Sequence, residues 1–322
     1  MKPKNFIWKR LTTSLGPFIG LILVLAIFSL MPEISDRFLR LANIKSVVTQ
    51  SVMVALCALG MTFIIVTGGI DLSAASNLAL SCVLVAFSIN LGLPPWLAAL
   101  VGLATGGLVG FFNGFLITRL KVVPFIVTLG MMGMARGAAK WVAKNQKIDA
   151  PLTWLNELMT RNPKPGWLLV SPGIWLVIIL SVLMAILLKK TVFGRQVQAV
   201  GSNELTARLC GIRTDRTKVI VYTLSGLFCG LAGVMEFSRL TVGDPTVATG
   251  LELDIIAAVV IGGGSLSGGE GSILGTLIGV FIMSFLRNGC TMMGWPNYFQ
   301  EIIIGAIIIV AVTLDRLRHS QN

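Results

Sequence analysis

Groups able to act as nucleophiles, acids or bases are scarce in this 322-residue chain, and the few present are not spaced for catalysis. The single histidine, His319, is the fourth residue from the end, and no H-E-x-x-H zinc pattern occurs. The five cysteines, Cys57, Cys82, Cys210, Cys229 and Cys290, are scattered through mostly apolar surroundings, with neither metal-ligand spacing nor a disulfide framework. Ser225, in YTLSG (Tyr222–Gly226), has no evident base. The run GGGSLSGGEG, Gly262–Gly271, could offer backbone N–H groups to a phosphate. A nucleotide-hydrolysing loop of that kind also needs G-x-x-x-x-G-K, whose lysine holds the phosphates, and no Gly-Lys pair exists anywhere in the chain. Neither a catalytic site, nor a metal, nor a cofactor is expected.

The remaining polar groups of interest sit at the edges of long apolar runs. Asp71 follows TGG and precedes LS, a position that suits a carboxylate accepting backbone N–H bonds at a helix start. A gating switch, and then a contact to solute, are the alternatives to that preferred reading, because an acid within a membrane is functional by default. Glu252 and Asp254 either line an outer vestibule or mark where a helix leaves the headgroups. Thr67, Asn77 and Asn113 are uncharged polar residues on apolar segments, able to bond a solute hydroxyl or a neighbouring helix.

The elements that must position these groups are membrane spans. The chain is 55% hydrophobic and only 12% charged, with a mean hydropathy of +0.85; a soluble domain carries roughly a quarter charged residues. A hydrocarbon core near 30 Å needs roughly 20 apolar residues in a helix. The charge-free runs predict about ten crossings, at 13–31, 45–67, 72–90, 96–118, 123–140, 170–188, 218–238, 250–265, 271–288 and 299–315. The fold class expected is therefore an all-α polytopic membrane protein forming one transmembrane domain over 1–322. The N-terminal stretch has a basic head and an apolar run, so a signal peptide competes with a first span; without a clean small-x-small cleavage site, the span is preferred. The eighth crossing is short, which predicts a broken-helix region near 250–288 that must be shielded inside the bundle, either crossing or re-entrant. Gly102, Gly106 and Gly110 repeat at four-residue spacing, a close-packing seam.

The formal charge of +12 reads as membrane-surface charge rather than nucleic-acid binding. With both termini cytoplasmic, Lys2, Lys4, Lys9, Arg10, Arg119, Lys121 and a strongly basic loop at 189–217 fall inside. Lys140, Lys144, Lys147, Arg161 and Lys164 fall outside and reduce the bias. The outer loop, 141–169, is flanked by tryptophans and has room for one short interfacial helix at 152–159. In the inner loop, Ser202 or Asn203 can cap a short helix that Gly211 ends, with Glu204 and Arg208 paired at i,i+4 and Leu205 and Leu209 forming an apolar face.

Three long stretches, in order, carry a resemblance. FGRQVQAVGSNELTARLCGI resembles the coupling-helix loop of bacterial ATP-binding cassette (ABC) sugar permeases of the ribose, xylose and arabinose class, within the wider family that includes branched-chain amino-acid permeases. ALGMTFIIVTGGIDLSAAS (Ala58–Ser76) and LELDIIAAVVIGGGSLSGGEGSILGTLIG (Leu251–Gly279) resemble that family's other hallmarks. The resemblance implies a vitamin-B12-importer-like (type II) architecture in a bacterial inner membrane. It further implies a second permease subunit, identical or not, surrounding lipid, a cytoplasmic tandem-domain ATPase and a periplasmic sugar-binding protein. Carried over position by position, Gly201, Asn203, Glu204, Ala207, Arg208 and Gly211 match the ATPase-coupling motif. Gly68, Gly69, Asp71 and Ser73 match a gating turn, and Gly262, Gly263, Ser265, Gly268, Gly269 and Gly271 match a glycine-rich turn. LSGGE (Leu266–Glu270) is spelled like the signature pentapeptide of ABC ATPases, but it is bracketed by membrane segments and reads as a helix-to-helix turn. A branched-chain amino-acid or other small-solute ABC permease, and an ion-coupled secondary transporter, are the competing readings.

Overall fold

Helix starts follow the sequence's own punctuation. In the computed structural model, which describes residues 4–160, 163 and 168–320, three long helices open on proline: α5 (Pro95–Leu120), α6 (Pro124–Val142) and α7 (Pro172–Lys190). Proline lacks the N–H that a first turn cannot use, and its fixed φ suits that position. Before these come α1 (Lys4–Ser29), the single turn α2 (Ser35–Phe38), α3 (Leu41–Val66) and α4 (Ala74–Asn90). After them come α8 (Val192–Ser202), α9 (Glu204–Leu209), α10 (Thr214–Leu240), α11 (Leu251–Ile261), α12 (Ile273–Met292) and α13 (Asn297–Ser320). Lys2, Arg161 and Lys164, used above for the charge bias, lie outside the described residues.

Among the described residues, α3, α5, α7, α10 and α12 are each long and apolar enough to cross a membrane, and Gly16–Ser29, α4 and Asn297–Val310 are shorter apolar helices. The protein is a helical, polytopic membrane protein. One departure from pure helix is a two-residue antiparallel ladder, β1 (Ile148–Asp149) on β2 (Val242–Gly243). At 1.5 Å per residue α11 spans only about 16 Å. It is enclosed accordingly, with every residue from Asp254 to Val260 buried.

The core helix is α3, buried continuously from Ser51 to Val66. Against it lies α10, and α10 meets α5 through the glycine seam. A Cβ on Gly106 would fall 2.3 Å from the Gly226 carbonyl oxygen, and one on Gly110 would fall 2.2 Å from that of Tyr222. The seam has two sides, and the sequence alone does not single out the second, Gly226 and Gly230 on α10. Helices α11 and α12 repeat the device, since a Cβ on Gly279 would lie 1.9 Å from the Ala258 oxygen. At the far side of α12, Phe28, Phe38 and Phe285 pack in series, the first pair tilted and the second edge-to-face, and Phe28 covers Gly289.

The bundle has two distinct ends. One gathers the β1–β2 ladder and a 3₁₀ helix, Trp154–Met159. That helix buries Leu155 and Met159, and the Met159 N–H donates to Ser238 Oγ at 3.1 Å. It is therefore anchored on α10, and it falls within the 152–159 stretch where a short helix is expected. The other end gathers the α3–α4 turn, α8, α9 and the α11–α12 turn.

Candidate functional site

The three sequence motifs, spread along the chain from Ala58 to Gly279, meet at that second end. Gly201 in the last turn of α8 is the contact point. A Cβ there would sit 1.7 Å from the Val66 carbonyl oxygen and 2.6 Å from the Gly269 nitrogen, so only glycine fits. The Gly269 N–H donates to the Val66 oxygen at 2.9 Å, and a Cβ on Gly268 would lie 2.5 Å from the Gly201 oxygen. Gly268 and Gly269 both have positive φ, +85° and +82°, a conformation glycine adopts without strain. Gly263 shares that conformation, while Gly262 packs on Gly275 and Gly271 on Val66. The turn is closed by Ser265 N–H donating to the Glu270 carbonyl at 3.1 Å and by the buried Ser265 hydroxyl accepting from Ser267 N–H.

Asp71 organises the neighbouring turn. Its carboxylate accepts from the Ser73 N–H at 2.8 Å and the Ser73 hydroxyl at 2.6 Å. Ser73 is the N-cap residue of α4, so Asp71 closes a turn just ahead of the helix instead of occupying the cap position. Asn113 Nδ2 donates to Ser73 Oγ at 2.9 Å, extending the chain of bonds to α5. Tyr222 from α10 and Thr128 from α6 both donate to the Ile70 carbonyl at 3.3 Å. Gly69 leaves the room Tyr222 needs, since a Cβ would lie 2.5 Å from its hydroxyl, and Gly68 turns the chain at φ +76°.

On the other face of Gly201, Asn203 caps α9 by accepting the Thr206 N–H at 2.9 Å. Gly211 ends it at φ +83°, donating to the Arg208 oxygen. Ala207 is buried. Glu204 pairs with Lys218 at 2.7 Å and with Arg208 at 3.4 Å, and Arg208 also reaches Thr214 at 3.0 Å and Asp215 at 3.4 Å. These bonds lash α9 to the first turn of α10. Leu205 and Leu209 are 75% and 88% exposed, an apolar pair left uncovered among the described residues.

The five residues considered for a solute pathway are not brought together. Thr67 donates within its own helix to Ile64, and Asn77 donates across to the Gly106 oxygen at 3.1 Å. Asn77, like Asn113, is buried between α4 and α5. Glu252 and Asp254 part company: Glu252 is half-buried, whereas Asp254 is 1% exposed and faces a cavity of about 430 Å³ near the ladder end. There Arg287 grips Asp254 with two N–H groups, one from Nη2 at 3.0 Å and one from Nε. Arg239 grips Glu236 likewise, at 2.6 and 2.9 Å. Glu236 and Arg287 lie within the expected crossings 218–238 and 271–288, and Arg239 one residue beyond the first, yet a reading that looks for apolar runs passes over all three. The signal available was a Glu–Arg pair at i,i+3 and an arginine within the 271–288 span.

Comparison with known proteins identifies the family. Residues 43–312 match the family described as "Branched-chain amino acid transport system / permease component". The chain is 43% identical over 303 residues to the ribose import permease protein RbsC of Bacillus subtilis, covering 94% of this chain and 92% of that one. It is 36% identical over its full length to the L-arabinose ABC transporter permease protein AraH of Azospirillum brasilense, covering 92% of that chain. It is 33% identical over 300 residues to the autoinducer 2 import system permease protein LsrC of Photorhabdus laumondii, covering 93% and 89%. No solved structure matches. A family match across this much of the chain, with relatives this similar over nearly its whole length, places the protein: it belongs to the family of ABC-importer permease components typified by the branched-chain amino-acid transport system.

Proposed function

We propose that this permease subunit forms the path by which an ABC importer moves a monosaccharide across a bacterial inner membrane, powered by ATPase domains on other chains. The observation carrying this reading is the contact of Gly201 with Val66 and Gly269. Because a single added carbon has no room there, α8 and α9 cannot shift without displacing the end of α3 and the α11–α12 turn. A rigid junction of that kind is what transmits a movement from a soluble partner into the spans. The exposed Leu205 and Leu209 face, bordered by Glu204 and Arg208, is the surface we assign to a tandem-domain ATPase.

The finer features belong to the same proposal. Ten crossings with both termini cytoplasmic, in a type II arrangement, put α9 inside and the β1–β2 ladder outside, where a periplasmic binding protein delivers the solute. The subunit works beside a second permease subunit. Asp71, Ser73 and the glycines of both turns act as joints of the moving assembly. The sugar assignment follows the ribose and arabinose relatives.

The test is the full importer, with its ATPase and binding protein, in proteoliposomes. Replacing Glu204 and Arg208 together by Ala removes surface pairs worth under about 1 kcal/mol each, so folding should persist. Uptake of pentose or hexose and binding-protein-stimulated ATP hydrolysis should both fall about tenfold, near 1.4 kcal/mol of coupling. Unchanged coupling in this variant would sink the docking assignment. Leucine uptake without sugar uptake would move the solute class, and uptake driven by an ion gradient without ATP would overturn the ABC reading.

A further inference from the structure

The cavity beside Asp254 has a composition that structural need does not explain. It is bounded by α3, α4, α10, α11, α12 and α13 and by the segment after β2, and its floor is apolar, formed by residues such as Met53, Val54 and Met283. Into it open Gln50, Ser284 and the two arginine–carboxylate pairs. Ionisable groups within membrane spans are expensive and mark functional sites by default. The Asp254–Arg287 pair at least joins α11 to α12. The Glu236–Arg239 pair joins nothing, since both residues belong to α10, three positions apart.

Each pair is arranged in the same way. The carboxylates are withdrawn, Glu236 at 4% and Asp254 at 1% exposed, while Arg239 and Arg287 keep 34% and 37% of their side chains open. Each arginine uses Nε and Nη2 on its acid, and among the described residues neither Nη1 bonds to protein. The cavity therefore presents fixed, planar N–H donors with no net charge, two arginines against two acids. An anion meets no surplus of positive charge there, and a cation no surplus of negative charge. A neutral molecule with several adjacent hydroxyls and a C–H face matches both the donors and the apolar floor. About 430 Å³ lies within the range of small-molecule pockets. One wall is held in place by Arg136, whose Nη1 donates to the carbonyls of Pro245 and Val247 at 2.8 Å each.

We infer that this cavity is where the permease itself recognises its solute, a neutral polyhydroxylated molecule of monosaccharide size, through the free Nη1 groups of Arg239 and Arg287 with Gln50 and Ser284. The inference rests on the permease reading above and deepens it. Two variants test it without breaking either ion pair, Gln50→Leu and Ser284→Met, in the reconstituted importer. Sugar uptake should fall about tenfold or more, while ATP hydrolysis stimulated by the liganded binding protein stays within about twofold of wild type. Sugar uptake at the wild-type rate in both variants, with matching melting temperatures, would overturn the cavity while leaving the permease reading intact. If the wild type moves leucine and no sugar, the polyol assignment and the sugar reading both fail. If either variant also loses ATPase stimulation, Arg239→Lys decides, because it keeps the charge on Glu236 and removes the planar donors: unchanged uptake overturns the proposal, and reduced uptake with normal stimulation supports it.

Discussion

Asp71 shows how one buried acid fastens several helices. Its carboxylate holds Ser73 by two bonds, Ser73 accepts from Asn113 of α5, and the adjacent Ile70 carbonyl accepts from α6 and α10. Removing the acceptor strands a buried N–H and a buried hydroxyl, each costing about 1–3 kcal/mol. Asp71→Ala should therefore lose about 2 kcal/mol or more, seen as a lower melting temperature in detergent. Asp71→Asn keeps an oxygen in the acceptor position and should melt between Asp71→Ala and wild type. An alanine variant that melts with wild type would show that the turn does not depend on the acid. The sequence made Asp71 legible as one candidate acceptor of backbone N–H bonds, because TGG before and LS after place a carboxylate at a helix start, but it left a gating switch and a solute contact open beside that reading. It could not reveal Arg239 and Arg287 as cavity groups. At the ends of apolar runs, a charge facing headgroups and a charge facing an interior cavity have the same spelling.

At the scale of elements, glycine position matters more than glycine number. Gly110 in α5 has a backbone oxygen 2.2 Å from where its Cβ would be, whereas Gly130 in α6 has nothing within 4 Å. Gly110→Ala should push α5 off α10 and cost about 1–3 kcal/mol as an overpacked contact. Gly130→Ala should be neutral or stabilising by up to about 1 kcal/mol, because alanine is the better helix former. Melting temperatures of the two variants falling together would refute the seam as the determinant of that interface. One side of the seam is readable, since Gly102, Gly106 and Gly110 repeat every four residues on one helix. Its partner on α10 is harder to see, because matching one glycine face to another needs the fold. The same limit explains α8, absent from the sequence reading. Its VFGRQVQAVGS contains two glycines that lower helix propensity, and both are required by close contact, Gly194 with the Leu187 and Leu188 carbonyls and Gly201 with Val66. The 3₁₀ helix lies close to its expected place, but its anchoring is not readable from the sequence, because burial of Leu155 and Met159 depends on packing against α10.

For the whole molecule the open quantity is sidedness, and the native cysteines offer a direct measurement of it. Hydrophobic runs locate spans well because a bilayer forces backbone bonds to close within each helix. Orientation rests on the weaker bias of Lys and Arg between loops, and the outer loop's own basic residues dilute that bias here. Among the five cysteines only Cys210, just past α9, is exposed; Cys57, Cys82, Cys229 and Cys290 are buried. On the other side of α7 stands Leu152, 78% exposed in the loop that carries the 3₁₀ helix. A membrane-impermeant maleimide should therefore leave the native protein unlabelled in intact spheroplasts and label it once they are permeabilised. With Cys210→Ser combined with Leu152→Cys, the pattern should reverse, giving labelling in intact spheroplasts. Of the long apolar helices only α7 separates the two positions, so the pair of results reads its crossing and its direction at once. Labelling of both sites from the same side would mean that α7 does not cross. Labelling of Cys210 from outside, with the thiol introduced by Leu152→Cys protected, would invert the molecule. Inversion would carry α9 away from any cytoplasmic ATPase, and the coupling role of the Gly201 junction would fall with it.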